Sequence, residues 1–189
     1  MVVFDTSILL LVLDAKARAP QDPATGQPVA RAPQDPATGQ PVARAAERIE
    51  YLIETLAADK QQIVIPTPVL SEVLVHAGTA MNAYLDALNG QSVFRIVPFD
   101  QKAAIEAALA LRDAISRGGH RVDASKPDAT RTKIKFDRQI VAIAKAEGAH
   151  SVYADDEDVH QYAKLSGLQA YRTVDLDLPP EEPQTKLDL

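Results

Sequence analysis

The sequence predicts an α/β domain with a central parallel sheet of about five strands and helices on both faces. Short apolar runs alternate with segments of helical periodicity along the chain, the pattern of strand–helix–strand units. The runs are apolar throughout rather than alternating apolar and polar, as strands buried on both faces must be. Size and composition agree, because 189 residues, 46% apolar and 24% charged, suit one globular domain.

Met1–Phe4 is the first strand, and Thr6–Leu13 continues as a helix. The alternation then breaks. Arg18–Ala30 (RAPQDPATGQPVA) recurs unchanged as Arg31–Ala43, and Arg44-Ala45 opens a third copy that stops at once. One duplication is too few repeats for a solenoid. Three prolines and a glycine per copy instead predict a surface loop, with turns at Gln21-Asp22-Pro23 and Thr25-Gly26. Arg44–Ala58 places Ile49, Leu52, Ile53 and Leu56 at helical spacing, and Ile63–Ile65 is the second strand. A helix follows, with Thr67 as N-cap and Pro68 at its first position, where the missing N–H does no harm. Asn82–Leu88 is another helix, Phe94–Pro98 the third strand, and Gln101–Ser116 an Ala-rich helix ended by Gly118-Gly119. After a polar loop at Arg121–Thr130, Thr132–Glu147 is a long helix stopped by Gly148. Ser151–Ala154, Val159–Ser166 and Leu168–Tyr171 read as strand, helix and strand. Residues 1–172 thus form the domain, and 173–189, acidic and rich in proline, a flexible tail.

Composition excludes several functions. There is no Cys, so disulfide scaffolds, Cys–zinc sites, iron–sulfur clusters and thiol nucleophiles are ruled out. A net charge of −6 is not that of a histone-like coat on nucleic acid. The longest aliphatic run, Ile8–Leu13, is too short to span a bilayer, and no Lys or Arg precedes it as in a signal peptide. A cytoplasmic protein without membrane contact is expected.

Four acidic positions stand out. Asp5 follows the first strand, and Asp155, Asp156 and Asp158 follow the fourth; the C-terminal ends of parallel strands open onto the ligand crevice. Each of these could equally cap the next helix. Glu72 lies among Val69, Leu70, Val73, Leu74 and Val75, a composition that predicts a helix buried on most sides. Asp137 shares its helix stripe with Ile134, Ile140, Val141 and Ala144, so it needs a partner, either an Arg at the stripe's edge or a metal. Four converging carboxylates repel one another and raise each other's pKa. A divalent ion relieves this, and a set without His or Cys suits Mg²⁺ (or Mn²⁺) rather than zinc. Such clusters support in-line attack at phosphodiesters, metals activating water and stabilising the leaving oxygen.

Four segments carry a family resemblance: Val2-Val3-Phe4-Asp5-Thr6-Ser7-Ile8-Leu9, Pro68-Val69-Leu70-Ser71-Glu72-Val73-Leu74, Phe136-Asp137-Arg138-Gln139-Ile140-Val141-Ala142-Ile143-Ala144 and Val152-Tyr153-Ala154-Asp155-Asp156-Glu157-Asp158. In order and spacing they resemble the PIN domain, and within it the toxin ribonucleases of the VapC type. The resemblance implies a single PIN-like domain and a metal-dependent endoribonuclease, with an antitoxin protein as partner. It implies Asp5, Glu72, Asp137 and Asp156 as catalytic metal ligands, Asp158 as a fifth, and Thr6 and Ser7 behind them. Ala154 stands where the family usually has Thr or Ser, and the duplicated loop makes the chain longer than the usual toxin.

Charge placement fits an anionic substrate. Residues 112–138 carry a local +4 and leave the rest of the chain at −10. Arg131, Lys133, Lys135 and Arg138 flank Asp137 and are candidates to hold RNA phosphates, although a solvated helix face would read the same. Aromatic residues make up only 5% and do not cluster along the chain, which argues against a base-stacking platform. Two alternatives remain: a non-catalytic PIN-like module that binds RNA or protein, and a haloacid-dehalogenase-like phosphatase, for which Ser7 stands where a second Asp is wanted. The apolar surplus of Pro68–His76 and Asn82–Leu88 predicts a homodimer.

Overall fold

A computed structural model describes residues 1–17, 33–116 and 131–180. Five parallel strands, β1 (Val2–Phe4), β2 (Ile63–Pro66), β3 (Phe94–Val97), β4 (Ser151–Tyr153) and β5 (Gln169–Tyr171), lie in the order β3-β2-β1-β4-β5. The helices are α1 (Thr6–Ala17), α2 (Ala45–Ala58), α3 (Thr67–Ala77), α4 (Met81–Asn89), α5 (Gln101–Ser116), α6 (Arg131–Ala146) and α7 (Glu157–Leu165). Connections run outward from β1 to β3, then cross back to β4 and out to β5. Right-handed crossovers in opposite directions place their helices on opposite faces. Accordingly, α1 contacts α2, α3 and α4, while α6 contacts α5 and α7. The α/β expectation is met in every strand.

The central strands form the core. Val2, Val3, Phe4, Ile63, Val64, Ile65 and Val152 are fully buried, which is why their runs show no polar alternation. Three aromatic residues share one row across β1, β4 and β5. Phe4 pairs with Tyr153 and Tyr153 with Tyr171; their ring centroids are 5.6 Å and 5.3 Å apart, the first pair edge-on and the second stacked. The aromatics therefore cluster in space, unlike in the sequence. With Phe4 and Tyr153 buried, the row supports the sheet's C-terminal edge rather than offering a platform for bases.

Several boundaries differ from the sequence reading. Helix α1 runs past Leu13 to Ala17, through Ala15 and Lys16, which favour helix. Thr67 is not an N-cap. Strand β2 continues to Pro66, which pairs with Val97 and takes the cap position with no side-chain cap, so the helix starts at Thr67 itself. Helix α3 is also less enclosed than predicted, burying Pro68, Val69, Val73 and Ala77 while Glu72 is exposed and Val75 is 78% exposed. Helix α7 begins at Glu157, ahead of the expected Val159, because Asp156 caps it.

The second repeat copy is described from Pro33 onward; the first copy, Gly118-Gly119 and the loop at 121–130 lie outside the described residues. In the second copy the Asp35 carbonyl accepts the Gly39 N–H at 2.7 Å, and the Asp35 carboxylate accepts the Ala37 N–H at 2.8 Å. Gly39 has φ +69, and Gln34 and Pro41 form an antiparallel bridge. Val42 anchors this turn in the core. Because the copies are identical, deleting either one gives the same protein. Doubling such a loop adds only about 0.6 kcal/mol of closure entropy.

Past residue 172 the chain stays packed for several residues. Thr173 is fully buried, Leu176 is buried, and the Arg48 guanidinium donates to the Leu176 carbonyl. Residues 181–189 lie outside the described set. Among the described residues no helix is long and apolar enough to cross a membrane.

Candidate metal centre

Strands β1 and β4 are neighbours, yet their onward connections run in opposite directions. This is the switch point of the sheet, and a crevice opens there beyond the strands' carboxyl ends. Asp5 stands at the end of β1, its N–H donating to the Tyr153 carbonyl at 3.0 Å. Asp155, Asp156 and Asp158 follow β4, and α6 brings Asp137 to the same edge.

Asp137, Asp156 and Asp158 each offer a carboxylate oxygen, and these three atoms all lie within 4.8 Å of one another. Asp156 is also the N-cap of α7, accepting the N–H of Asp158 at 2.9 Å and of Val159 at 3.3 Å. Capping and clustering are thus served by one side chain, since the cap fixes its rotamer while a carboxylate has lone pairs to spare. Asp155 takes no part. Its carboxylate accepts the Thr173 N–H at 2.8 Å and the Thr173 hydroxyl at 2.6 Å, which ties it to the segment after β5.

Asp5 and Glu72 lie outside the three-acid group and are held by the two hydroxyls between them. The Ser7 hydroxyl donates to Asp5 at 3.1 Å and accepts the Asp155 N–H at 3.0 Å. The Thr6 hydroxyl donates to Glu72 at 2.5 Å. Because α1 starts at Thr6, its first turn presents both hydroxyls to acids on either side. Ala154, at the end of β4, has no hydroxyl to add; its N–H pairs with the Tyr171 carbonyl.

Within the chain, the partner of Asp137 is a lysine rather than an arginine. Lys133 lies one helical turn earlier, and its Nζ is 3.3 Å from Asp137, 3.0 Å from Asp156 and 3.2 Å from Asp158. Burial alone would lower the Lys133 pKa, but Asp156, Asp137 and Asp158 raise it well above its ordinary value. Asp5 is 5% exposed, and its pKa is raised to about 7. Burial is the main cause; the charges of Asp156 and Glu72 add to it, and the Thr6 N–H and Ser7 hydroxyl oppose it. The Asp137 pKa is raised to about 6, again first by burial, with Lys133 opposing and Asp156 and Asp158 reinforcing. These are the marks of carboxylates stripped of water, with neighbouring negative charge adding to the shift. The all-oxygen donor set fits Mg²⁺ or Mn²⁺, and the cluster already gathers a cation from the chain itself.

Of the four expected phosphate-binding cations, the three whose side chains are described point to different surroundings. Lys133 turns into the acids, and Lys135 is exposed. Arg138 stacks its guanidinium over the Tyr162 ring at 5.4 Å and lines a groove of about 660 Å³ among α5, α6 and α7. Arg131 begins α6, and its side chain lies outside the described set. The sequence reading missed the pairing of Lys133 with three acids, although its place four residues before Asp137 was the available signal.

Neither a family model nor a curated protein matches this sequence. Solved structures do match in shape. VapBC2 from Rickettsia felis, bound to a DNA fragment from its promoter, aligns with a TM-score of 0.53 and 14% identity over 91% of this chain and 98% of that one. DNA-bound VapBC from Salmonella typhimurium aligns at 0.52 and 15% identity, over 91% and 97%. FitAcB from Neisseria gonorrhoeae aligns at 0.50 and 17% identity, over 92% and 98%. The fold is PIN-like. Within it, Asp137, Asp156 and Asp158 cluster, while Asp5 and Glu72 are joined to the neighbouring first turn of α1 through Ser7 and Thr6.

Both raised pKa values exceed those of the unfolded chain. The stability that Asp5 and Asp137 contribute is therefore complete below about pH 4 and is lost as pH rises through 6 to 7. Asp5→Asn should flatten this loss in metal-free protein. At pH 8 it should raise the melting temperature by roughly 5 °C, as about 2 kcal/mol does in a chain of this size. Thermal denaturation across pH 4–8 checks it, and a lower melting temperature for the variant would contradict it.

Proposed function

We propose that this chain is a metal-dependent endoribonuclease that cleaves RNA phosphodiesters, acting as the toxin of a toxin–antitoxin pair. The observation that carries this reading is the acid cluster at the switch point of a PIN-like sheet. Asp137, Asp156 and Asp158 would hold Mg²⁺ or Mn²⁺, with Asp5 facing them and Glu72 set through Thr6. The bound ion supplies Lewis acidity and activated water for in-line displacement at phosphorus, in the manner of two-metal nucleases. Asp156 keeps its orientation through the α7 cap, and Asp5 through Ser7. Lys135, exposed on α6, and Arg131 at the helix start are the cations proposed to meet RNA phosphates. The similarity in shape to VapBC and FitAcB supports an antitoxin partner.

The test is cleavage of a mixed RNA pool with Mg²⁺, with Mn²⁺ and with EDTA. Cleavage should require the metal, and Asp137→Asn should reduce it by at least about a hundredfold, as loss of a principal charge-bearing group does. Metal-independent cleavage, or full activity in the variant, would overturn the assignment. RNA binding without cleavage would favour the non-catalytic module.

The proposal includes a homodimer across α3 and α4. Of the apolar surplus read from the sequence, Val75 remains 78% exposed, and Met81, just before its second segment, is 42% exposed. Light scattering at micromolar protein should give twice the 20.4 kDa chain mass; a monomer would refute it.

A further inference from the structure

We infer that Lys133 is a tethered counter-ion that occupies the acid cluster in the metal-free protein and must leave it when a divalent ion binds. The inference rests on the metal-dependent reading above and concerns how readily the cluster loads.

Its basis is steric and electrostatic. The Lys133 ammonium is 3.0–3.3 Å from Asp137, Asp156 and Asp158, the three acids whose ligand oxygens lie within 4.8 Å of one another. Mg²⁺ bound by the same oxygens would sit roughly 2.0–2.1 Å from them. Both cations would then share one small volume, where their repulsion is strong and only one can remain. The Lys133 stem is the element that can yield. The side chain is 42% exposed, and it hangs from the first turns of α6 on a flexible four-carbon stem. Asp137 and Asp156 cannot follow it, because Asp137 is buried and Asp156 is fixed by the α7 cap. Metal loading is thus an exchange of one cation for another. It conserves the neutralisation of the cluster, and it frees the ammonium for the edge of the crevice, where an RNA phosphate would arrive. Lys133 is a positioning residue in this role.

The exchange can be read without RNA. Lys133→Met keeps the length of the stem and removes the charge, whereas Lys133→Arg keeps the charge. By titration calorimetry Lys133→Met should bind Mn²⁺ about tenfold more tightly than wild type, the scale set by removing a charge-assisted competitor. Lys133→Arg should remain close to wild type. In wild-type protein, acetylation of Lys133 by an amine-reactive ester, followed by mass spectrometry, should rise several-fold on adding Mn²⁺. Exposed Lys135 serves as the unchanged control. This second measurement holds even if Lys133→Met does not fold. Equal or weaker Mn²⁺ binding by Lys133→Met, or labelling of Lys133 that Mn²⁺ leaves unchanged, overturns the counter-ion role while the metal site stands. No Mn²⁺ binding by wild type or variant overturns the metal site and the counter-ion role together.

Discussion

Carboxylates held in a crevice that strips away their water must share cations, and this constraint shapes the whole C-terminal edge of the sheet. Asp5 is almost fully buried, Asp137 is buried on the core side of α6, and both are less acidic than free aspartates for that reason. The surrounding structure works against the repulsion. Lys133 bridges three acids, the α7 N-terminus gives Asp156 two N–H donors, and the first turn of α1 gives Asp5 and Glu72 a hydroxyl each. Neutralising Asp5 relieves part of this repulsion, whereas removing Asp156 also costs the α7 cap.

Topology decides which acids can meet. The connections reverse direction at β1 and β4, the point where parallel sheets bind ligands beyond their carboxyl ends. Helix α6, arriving after the long crossover from β3, lays its apolar stripe on the sheet and carries Asp137 to that point with it. The aromatic row of Phe4, Tyr153 and Tyr171 lies across the same strand ends and stiffens the floor beneath the acids. Thr173, clasping Asp155 from beyond β5, closes the far side.

Much of this was legible in the sequence, for physical reasons that differ by element. The strands were plain because burial on both faces removes every polar residue, as in Ile63–Ile65. Asp137 was plain because an acid on an apolar stripe is costly unless it has a partner. Helix ends were less so: the start of α3 turned on whether β2 stopped at Ile65 or ran to Pro66, a question settled by pairing with Val97. Glu72 was misjudged as enclosed because an apolar composition does not say which face is covered, and α3 leaves Val75 to solvent. Asp155 and Asp156 were indistinguishable as neighbours, since the partner that separates them, Thr173, is remote in sequence. Lys133 looked like one of four phosphate-binding cations because charge along a helix does not reveal where a long side chain turns.

The central claim is that the acids at the switch point form a divalent-metal site. Crystals soaked in Mn²⁺ and measured near the manganese absorption edge test it most directly. The account predicts an anomalous peak between the carboxylates of Asp137, Asp156 and Asp158, with the Lys133 ammonium moved off them. Soaked crystals with no peak there, and Lys133 still bridging the three acids, would contradict it.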